Sequence, residues 1–232
     1  MNESKRKVKM SHVQVIALGF CLMIMTGTFL LMLPISTKNG QGGRFLESLF
    51  TATSASCVTG LIVQDTSTYW SHFGQAVILI LIQIGGLGFM TIATLFFMLL
   101  KKRIHLRGRE LLTESISVSQ VGGILKLAKK ILIGTFLVEG TGALLLMLFE
   151  WNNTNTIGNM STGNKIMNCF FQSITTRTAG FATFDQSQMS QISVMICEIF
   201  MFIGGSSASM AGGVKTTTFF VLLLILLKNK DK

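Results

Sequence analysis

The chain has 232 residues, of which 49% are hydrophobic and only 13% are charged, and its formal net charge is +10. Soluble globular domains carry about 25% charged residues, so this composition excludes an ordinary soluble domain. A basic balance of this size is also common among nucleic-acid-binding proteins. Here the basic residues form three clusters beside long apolar segments, which is typical of orientation in a membrane. We therefore expect an all-α integral membrane protein with no nucleic-acid partner.

Four apolar segments of about 20 residues or more are long enough to cross a bilayer as helices. They are residues 13–35, 73–100, 131–149 and 192–227. The last segment is too long for one simple crossing, and residues 204–213 interrupt it with four glycines and three serines. Because such a composition forms helix poorly, we predict a Gly/Ser loop inside the membrane that breaks the last span. A kink in a lipid-facing helix is the simpler alternative.

Two short helical patterns, at 44–55 and 165–175, are each followed by a small, hydroxyl-rich loop that ends in glycine. The predicted filter residues in these loops are Cys57, Val58, Thr59 and Gly60, and Arg177, Thr178, Ala179 and Gly180. Irregular backbone occurs at membrane depth only where it is buried in protein or lines a watery cavity. In a selectivity filter, bare carbonyl oxygens replace the water around an ion. We predict two such pore loops; the alternative is two extracellular turns between ordinary spans.

The two halves of the chain match each other at an offset of 120 residues. The matching pairs are Phe50 and Phe170, Gly60 and Gly180, Asp65 and Asp185, and Gly85 and Gly205. We therefore predict two units of span, pore helix, filter loop and span, at residues 1–102 and 131–232. A cytoplasmic amphipathic connection at residues 103–130 joins them.

Basic residues predict the orientation of the chain and the need for ion pairs. Lysine and arginine concentrate in residues 1–10, at the end of the second span, in residues 103–130 and in residues 228–232, whereas the other sides of the spans carry only Lys38, Arg44, Lys165 and Arg177, so both termini should be cytoplasmic. Arg177 and Lys215 lie near the predicted ion path, so each needs an acidic or carbonyl partner to avoid repelling a cation. Glu139 and Glu198 are charges inside apolar spans, and such residues usually face the protein interior. They are candidates for a functional site, but we expect pairing between helices or a protonated acid instead.

Five stretches carry a family resemblance: residues 50–61 (FTATSASCVTGL), 83–89 (QIGGLGF), 175–181 (TTRTAGF), 202–207 (FIGGSS) and 211–218 (AGGVKTTT). They resemble the Trk/Ktr/HKT potassium transporters, and most closely the bacterial KtrB type of membrane subunit. The resemblance implies a plasma-membrane protein that transports potassium, with sodium as a second candidate ion. It also implies a cytoplasmic nucleotide-binding regulatory ring as a partner. The implied gate residues are Gly204, Gly205, Ser206, Ser207, Gly212, Gly213 and Lys215.

The sequence departs from that family in the number of repeats. The family has four repeats in a chain, whereas this sequence resembles the first, the opening of the second up to about Leu146, and the third from about Phe149. Two interpretations remain open. A homodimer could bring four loops around one pore, surrounded by membrane lipid and gated from the cytoplasm; alternatively, a shortened or engineered half-transporter acts only in membrane assembly. The sequence contains no H-E-x-x-H or G-x-S-x-G motif, so we do not expect an enzyme.

Overall fold

The computed structural model describes residues 12–88, 124–206 and 209–228, and within these ranges every regular element is a helix. The longer helices are α1 (His12–Met32), α2 (Phe45–Ser56), α3 (His72–Leu87), α4 (Ile124–Glu150), α5 (Thr162–Thr175), α6 (Gln191–Phe202) and α7 (Thr216–Lys228). Two 3-10 turns, Pro34–Ser36 and Gln186–Gln188, lie in the connections. The predicted helical fold class is confirmed for this part of the chain.

Helix α4 is the one described helix that is long and apolar enough to cross a bilayer, with a mean hydropathy of 2.0 in residues 129–150. Shorter apolar helices lie at Ile16–Met32, His72–Leu87 and Gln191–Phe202. Large apolar side chains of α4 point outward: Leu148 is 75% exposed and Leu137 is 64% exposed. Such a surface suits lipid better than water.

Three helix boundaries differ from those expected. Helix α4 begins at Ile124, inside the segment predicted as the connection, because apolar residues continue the helical pattern across that boundary. The remainder of the connection lies outside the described residues. Helix α3 ends at Leu87, where Gly88 takes a φ of 83°, whereas the predicted span continues to Leu100. Residues 89–100 are outside the described ranges. Helix α6 ends at Phe202, and the chain becomes helical again at Thr216.

One apolar core joins the two halves of the chain. Helix α3 contributes Ile78 and Ile82, and the second half contributes Phe171, Ile174 and Phe181. All five side chains are at most 2% exposed. This core holds the end of α2 and the loop after α5 against the same helix, so the two predicted filter loops lie close together.

The connections after the two loops have the same local construction. Ser71 caps α3 by accepting a hydrogen bond from the Gly74 amide, and Ser190 caps α6 in the same way. Burial alone would raise the pKa of Asp65, but hydrogen bonds from Ser67 and Thr68 hold it below its ordinary value. The pKa of Asp185 is lowered by the equivalent bonds from Ser187. These turns fix the chain between each loop and the next helix.

Candidate ion-conduction site

The first predicted filter loop is bonded to the last turn of α2. Cys57 and Thr59 donate their backbone N–H groups to the carbonyls of Thr53 and Ser54, both at 2.9 Å. The Thr59 hydroxyl also donates to the Ser54 hydroxyl at 2.9 Å. The last carbonyls of a helix lack partners within the helix. The loop amides supply these partners, so the loop begins in a fixed position.

A buried hydroxyl holds the second predicted loop. The Thr175 hydroxyl donates to the Phe181 carbonyl at 2.8 Å and accepts the Phe181 amide at 2.9 Å. Between these residues, the Ala179 amide donates to the Thr175 carbonyl at 2.9 Å. The chain from Thr175 to Phe181 is therefore closed into a tight loop.

Both loops use the left-handed backbone region at equivalent places. Val58 and Thr178 have φ values of 55° and 65°, and Gly60 and Gly180 both have 77°. For β-branched residues such as valine and threonine, this region is a genuine outlier. Strained backbone of this kind clusters at functional sites. The strain marks both loops as places where backbone geometry serves a purpose.

The carbonyl groups of the predicted filter are unpaired within the part of the chain that the structure describes. No described group donates a hydrogen bond to the carbonyls of residues 57–60 or 177–180. Most buried backbone carbonyls in proteins are paired. Thr59 and Gly180 are exposed, so one edge of the paired loops is open. These oxygens are available to coordinate a cation.

The two loops touch each other through their glycines. A Cβ atom on Gly60 would lie 2.7 Å from the Ala179 oxygen and 2.8 Å from the Gly180 Cα. A Cβ atom on Gly180 would lie 2.8 Å from the Gly60 Cα. All of these nearest atoms belong to the backbone, so no side-chain rotation could make room for a Cβ atom. Glycine is therefore required twice here, for the positive φ and for the close approach of the loops.

The Arg177 side chain points away from its loop into a buried polar cluster. Its guanidinium forms an ion pair with Glu139 of α4 and donates to the Gln83 Oε1 at 2.7 Å. The Gln83 amide in turn donates to the other Glu139 oxygen at 2.6 Å. The acidic partner expected for Arg177 is thus Glu139. The sequence analysis includes Gln83 in a family motif but missed its role beside this ion pair, although a lone amide inside an apolar span was an available signal.

The segment between α6 and α7 is a closed loop rather than a stretched linker. The Val214 amide donates to the Phe202 carbonyl and the Gly204 amide donates to the Val214 carbonyl, both at 3.0 Å. A Cβ atom on Gly204 would overlap the Gly212 carbonyl. The two ends of this segment therefore lie side by side, and glycine allows the backbone near Gly204 to approach the backbone near Gly212. We call residues 203–215 the break loop.

The break loop contacts the second filter loop and the end of α3. The Gly212 amide donates to the Thr178 hydroxyl at 2.7 Å. The amides of Ser206 and Met210 donate to the carbonyls of Gly86 and Gly85 at 3.2 and 3.3 Å. Among the predicted gate residues, Ser207 lies outside the described ranges. The others lie in this loop next to the filter.

The ammonium of Lys215 is bound by backbone carbonyls of the break loop itself. Its ammonium donates to the carbonyls of Ala211 at 2.5 Å and Ser209 at 3.3 Å. The side chain is half-buried. The expectation of a carbonyl partner for Lys215 therefore holds, and the charge helps to keep the loop folded on itself.

A family model described as TrkH, cation transport protein, matches residues 2–150 and 131–231 of the sequence. This chain belongs to the TrkH family. The predicted resemblance to potassium transporters is confirmed, and with it the classification as a membrane protein of cation transport. The two matches overlap at residues 131–150, so this part of α4 is aligned to the family twice.

The relatives of this TrkH-family chain are ion-uptake proteins by name. The Ktr system potassium uptake protein B of Bacillus subtilis is 30% identical in an alignment that is 302 residues long, gaps included. This alignment covers 88% of this chain and 67% of the relative. The potassium/sodium uptake protein NtpJ of Enterococcus hirae is 29% identical, over 91% of this chain and 69% of its own length. The crystal structure of the potassium transporter TrkH from Vibrio parahaemolyticus aligns with a TM-score of 0.39 and 14% identity, covering 99% of this chain and 64% of that one.

The alignment to the Bacillus protein implies a gap inside this TrkH-family chain. The alignment is 302 residues long, which is 70 more than the 232 residues of the chain. At least that many residues of the relative therefore lie opposite gaps between the aligned parts. The chain spans about two thirds of the length of these relatives.

Proposed function

We propose that this chain transports potassium through a filter lined by the backbone carbonyls of residues 57–60 and 177–180. The observation that carries the proposal is the absence of hydrogen-bond donors to these carbonyls among the described residues. An unsatisfied polar group in a membrane costs several kcal/mol, and a dehydrated cation would satisfy these groups. The relatives named for potassium uptake support potassium as the ion, and NtpJ adds sodium as a second ion to test.

The two short helices α2 and α5 also favour a cation at the filter loops. Helices α2 and α5 both end at a filter loop, and the C-terminal end of a helix carries partial negative charge. The one cationic side chain of the two loops, on Arg177, is turned away and paired with Glu139. The electrostatics of the loops therefore favour a cation, and no unpaired positive charge of the filter opposes it.

We further propose that two copies complete the pore. Two loops that lie side by side cannot surround an ion, and the exposed Thr59 and Gly180 leave one edge of the pair open. A two-fold dimer is the commonest closed assembly, and it would bring four loops together. In this arrangement the protein lies in the plasma membrane with both termini in the cytoplasm. The break loop would act as the gate, and a cytoplasmic nucleotide-binding ring would bind near residues 103–130.

A second candidate function is supported by the gap of at least 70 residues relative to the Bacillus protein. The double match of residues 131–150 fits a junction inside α4 at which part of the family's chain is missing. A half-transporter of this kind would insert and assemble in the membrane without conducting. Ion flux separates the two candidates.

The test measures rubidium and sodium uptake by liposomes that contain equal amounts of protein. Gly60→Ala and Gly180→Ala should lower rubidium uptake or its ratio to sodium uptake, because each adds a left-handed penalty of roughly 1–2 kcal/mol and a clash with the other loop. Unchanged uptake in both variants would refute the filter assignment. No uptake by the unaltered protein would favour the half-transporter.

The control variant must be a glycine whose replacement disturbs nothing. Gly27 of α1 is unsuitable as this control, because it is tightly packed against neighbouring side chains. A Cβ atom there would lie 2.7 Å from the Leu81 side chain and 3.3 Å from the Ala52 Cβ. Gly140 of α4 is the better choice, because a Cβ atom there would meet nothing within 4 Å. Gly140→Ala should leave uptake unchanged.

A further inference from the structure

A cavity of about 440 Å³ lies between the first half of α4 and the first turns of α7. Its wall is mostly apolar, and its lining includes one cationic side chain and no acidic one. The lining residues are Lys130, Ile131, Gly134, Thr135, Thr216, Thr217 and Val221. The cavity shares no residue with the two filter loops or with the break loop, so the proposed ion path does not account for it.

Thr135 lines this cavity with a hydroxyl that has no hydrogen-bond partner in the described part of the chain. The residue is only 1% exposed. A threonine in a helix can bond to the carbonyl four residues earlier, and Thr26, Thr28 and Thr53 do so at 2.8, 2.8 and 2.7 Å. Thr135 forms no such bond. Because a buried polar group without a hydrogen bond is costly, we expect the cavity to hold a polar group that bonds to this hydroxyl.

Lys130 gives the cavity a positive charge that no described residue neutralises. Its side chain is exposed, and no ion pair or hydrogen bond joins it to any residue that the structure describes. Thr216 and Thr217, in the first turn of α7, line the same cavity. The N-terminal end of a helix carries partial positive charge and favours anions. Both helices therefore favour a ligand with negatively charged oxygen atoms.

The depth of these groups in the membrane matches the order of groups in a phospholipid. Lys130 lies at the start of the apolar part of α4, residues 129–150, which the predicted orientation places at the cytoplasmic surface. Thr135 lies five residues further along the helix, about 7.5 Å deeper at a rise of 1.5 Å per residue. In a diacyl phospholipid the anionic phosphate lies at the surface, the ester oxygens lie deeper, and the acyl chains follow. The cation, the hydroxyl and the apolar wall come in the same order.

We propose that this cavity binds an anionic phospholipid of the cytoplasmic leaflet. Lys130 binds the phosphate, the Thr135 hydroxyl donates to an ester oxygen, and an acyl chain lies along Ile131 and Val221. Basic pockets between membrane helices on the cytoplasmic side bind anionic headgroups in this way. A soluble phosphate compound would leave the apolar wall of the cavity uncovered, so the lining favours a lipid.

The first test measures lipid binding to the intact protein, delipidated in detergent, by native mass spectrometry. Phosphatidylglycerol should bind more tightly than phosphatidylcholine with the same acyl chains. Lys130→Gln should weaken phosphatidylglycerol binding about fivefold, which is the contribution of one basic side chain near an anionic lipid. Lys129→Gln is the matched control, because Lys129 is also exposed but does not line the cavity. Equal effects of the two substitutions, or equal binding of the two lipids, would overturn the proposal.

A second variant tests the buried hydroxyl. Thr135→Val keeps the shape of the side chain and should weaken the binding of both lipids, because both carry the same ester groups. It should not lower the melting temperature of the lipid-free protein, because no hydrogen bond within the described chain is lost. Thr141→Val is the control, since the Thr141 hydroxyl bonds to the Val138 carbonyl and lies outside the cavity. Unchanged lipid binding by Thr135→Val, or a lower melting temperature without lipid, would contradict the proposal.

Competition separates a lipid from a soluble phosphate compound. Inorganic phosphate and glycerol 3-phosphate, each at the concentration of the lipid, should not displace phosphatidylglycerol. Displacement by either compound would assign the cavity to a soluble ligand and refute the lipid assignment. None of these measurements depends on ion flux, so their outcome is separate from that of the proposed potassium filter.

Discussion

The buried pair of Glu139 and Arg177 gives the sharpest test of how the second loop is held. Glu139 is 0% exposed and Arg177 is 2% exposed, and Gln83 hydrogen-bonds to both. Removing one partner of a buried pair leaves an uncompensated charge, which costs about 3–5 kcal/mol. In a chain of this size, 1 kcal/mol shifts the melting temperature by about 2–4 °C. We therefore expect Glu139→Gln and Arg177→Gln each to lower it by roughly 6–20 °C.

The assay is thermal unfolding in detergent, followed by the fluorescence of Trp70 and Trp151. Replacing both charges, in Glu139→Leu with Arg177→Met, should recover much of the lost stability, because no unpaired charge then remains buried. Thr141→Val is the control, since Thr141 lies on the exposed side of the same helix. The reasoning is refuted if Glu139→Gln melts at the same temperature as the control variant. It is also refuted if the double replacement loses as much stability as the two single replacements added together.

Two further predictions concern orientation and the break loop. In a cysteine-free background, external labelling should reach a cysteine introduced at Asn155 and miss one at Glu114; the reverse pattern would invert the predicted topology. Lys215→Met should loosen the break loop by removing the donor to Ser209 and Ala211, which we expect to raise rubidium leak in liposomes while leaving the ratio of rubidium to sodium uptake unchanged. A changed ratio with no added leak would instead place Lys215 in the filter.

Patterns local in sequence predicted much of this fold. Apolar length and helical spacing predicted α1 and α2 to within a few residues and the end of α4 to within one, and the Gly/Ser composition of residues 204–213 predicted the interruption before α7. The partner type of Arg177 also followed from elementary electrostatics. Each of these features depends on residues close in the chain or on a simple requirement of charge.

Features set by long-range contact were missed. The end of α3 at Leu87 was not expected, because paired glycines are tolerated inside an apolar helix. Their role is visible only in three dimensions: a Cβ atom on Gly85 would overlap the Ser56 carbonyl and lie 2.8 Å from the Val58 side chain. Likewise, nothing in the spacing of Gly27 indicates that Leu81 packs against it. Close approach between distant segments has no local signature.

The two filter loops are equivalent in backbone but not in side-chain contacts, and the difference bears on gating. Thr178 and Val58 take the same left-handed conformation at equivalent positions, yet only threonine has a hydroxyl to accept the Gly212 amide of the break loop. Arg177 ties the same loop to α3 and α4, whereas its counterpart Cys57 is a free thiol. The second loop is thus tied both to the surrounding helices and to the break loop, whereas the first loop has neither of these side-chain contacts. In the pore proposed above, movement of the break loop would therefore act on the second loop directly through Thr178.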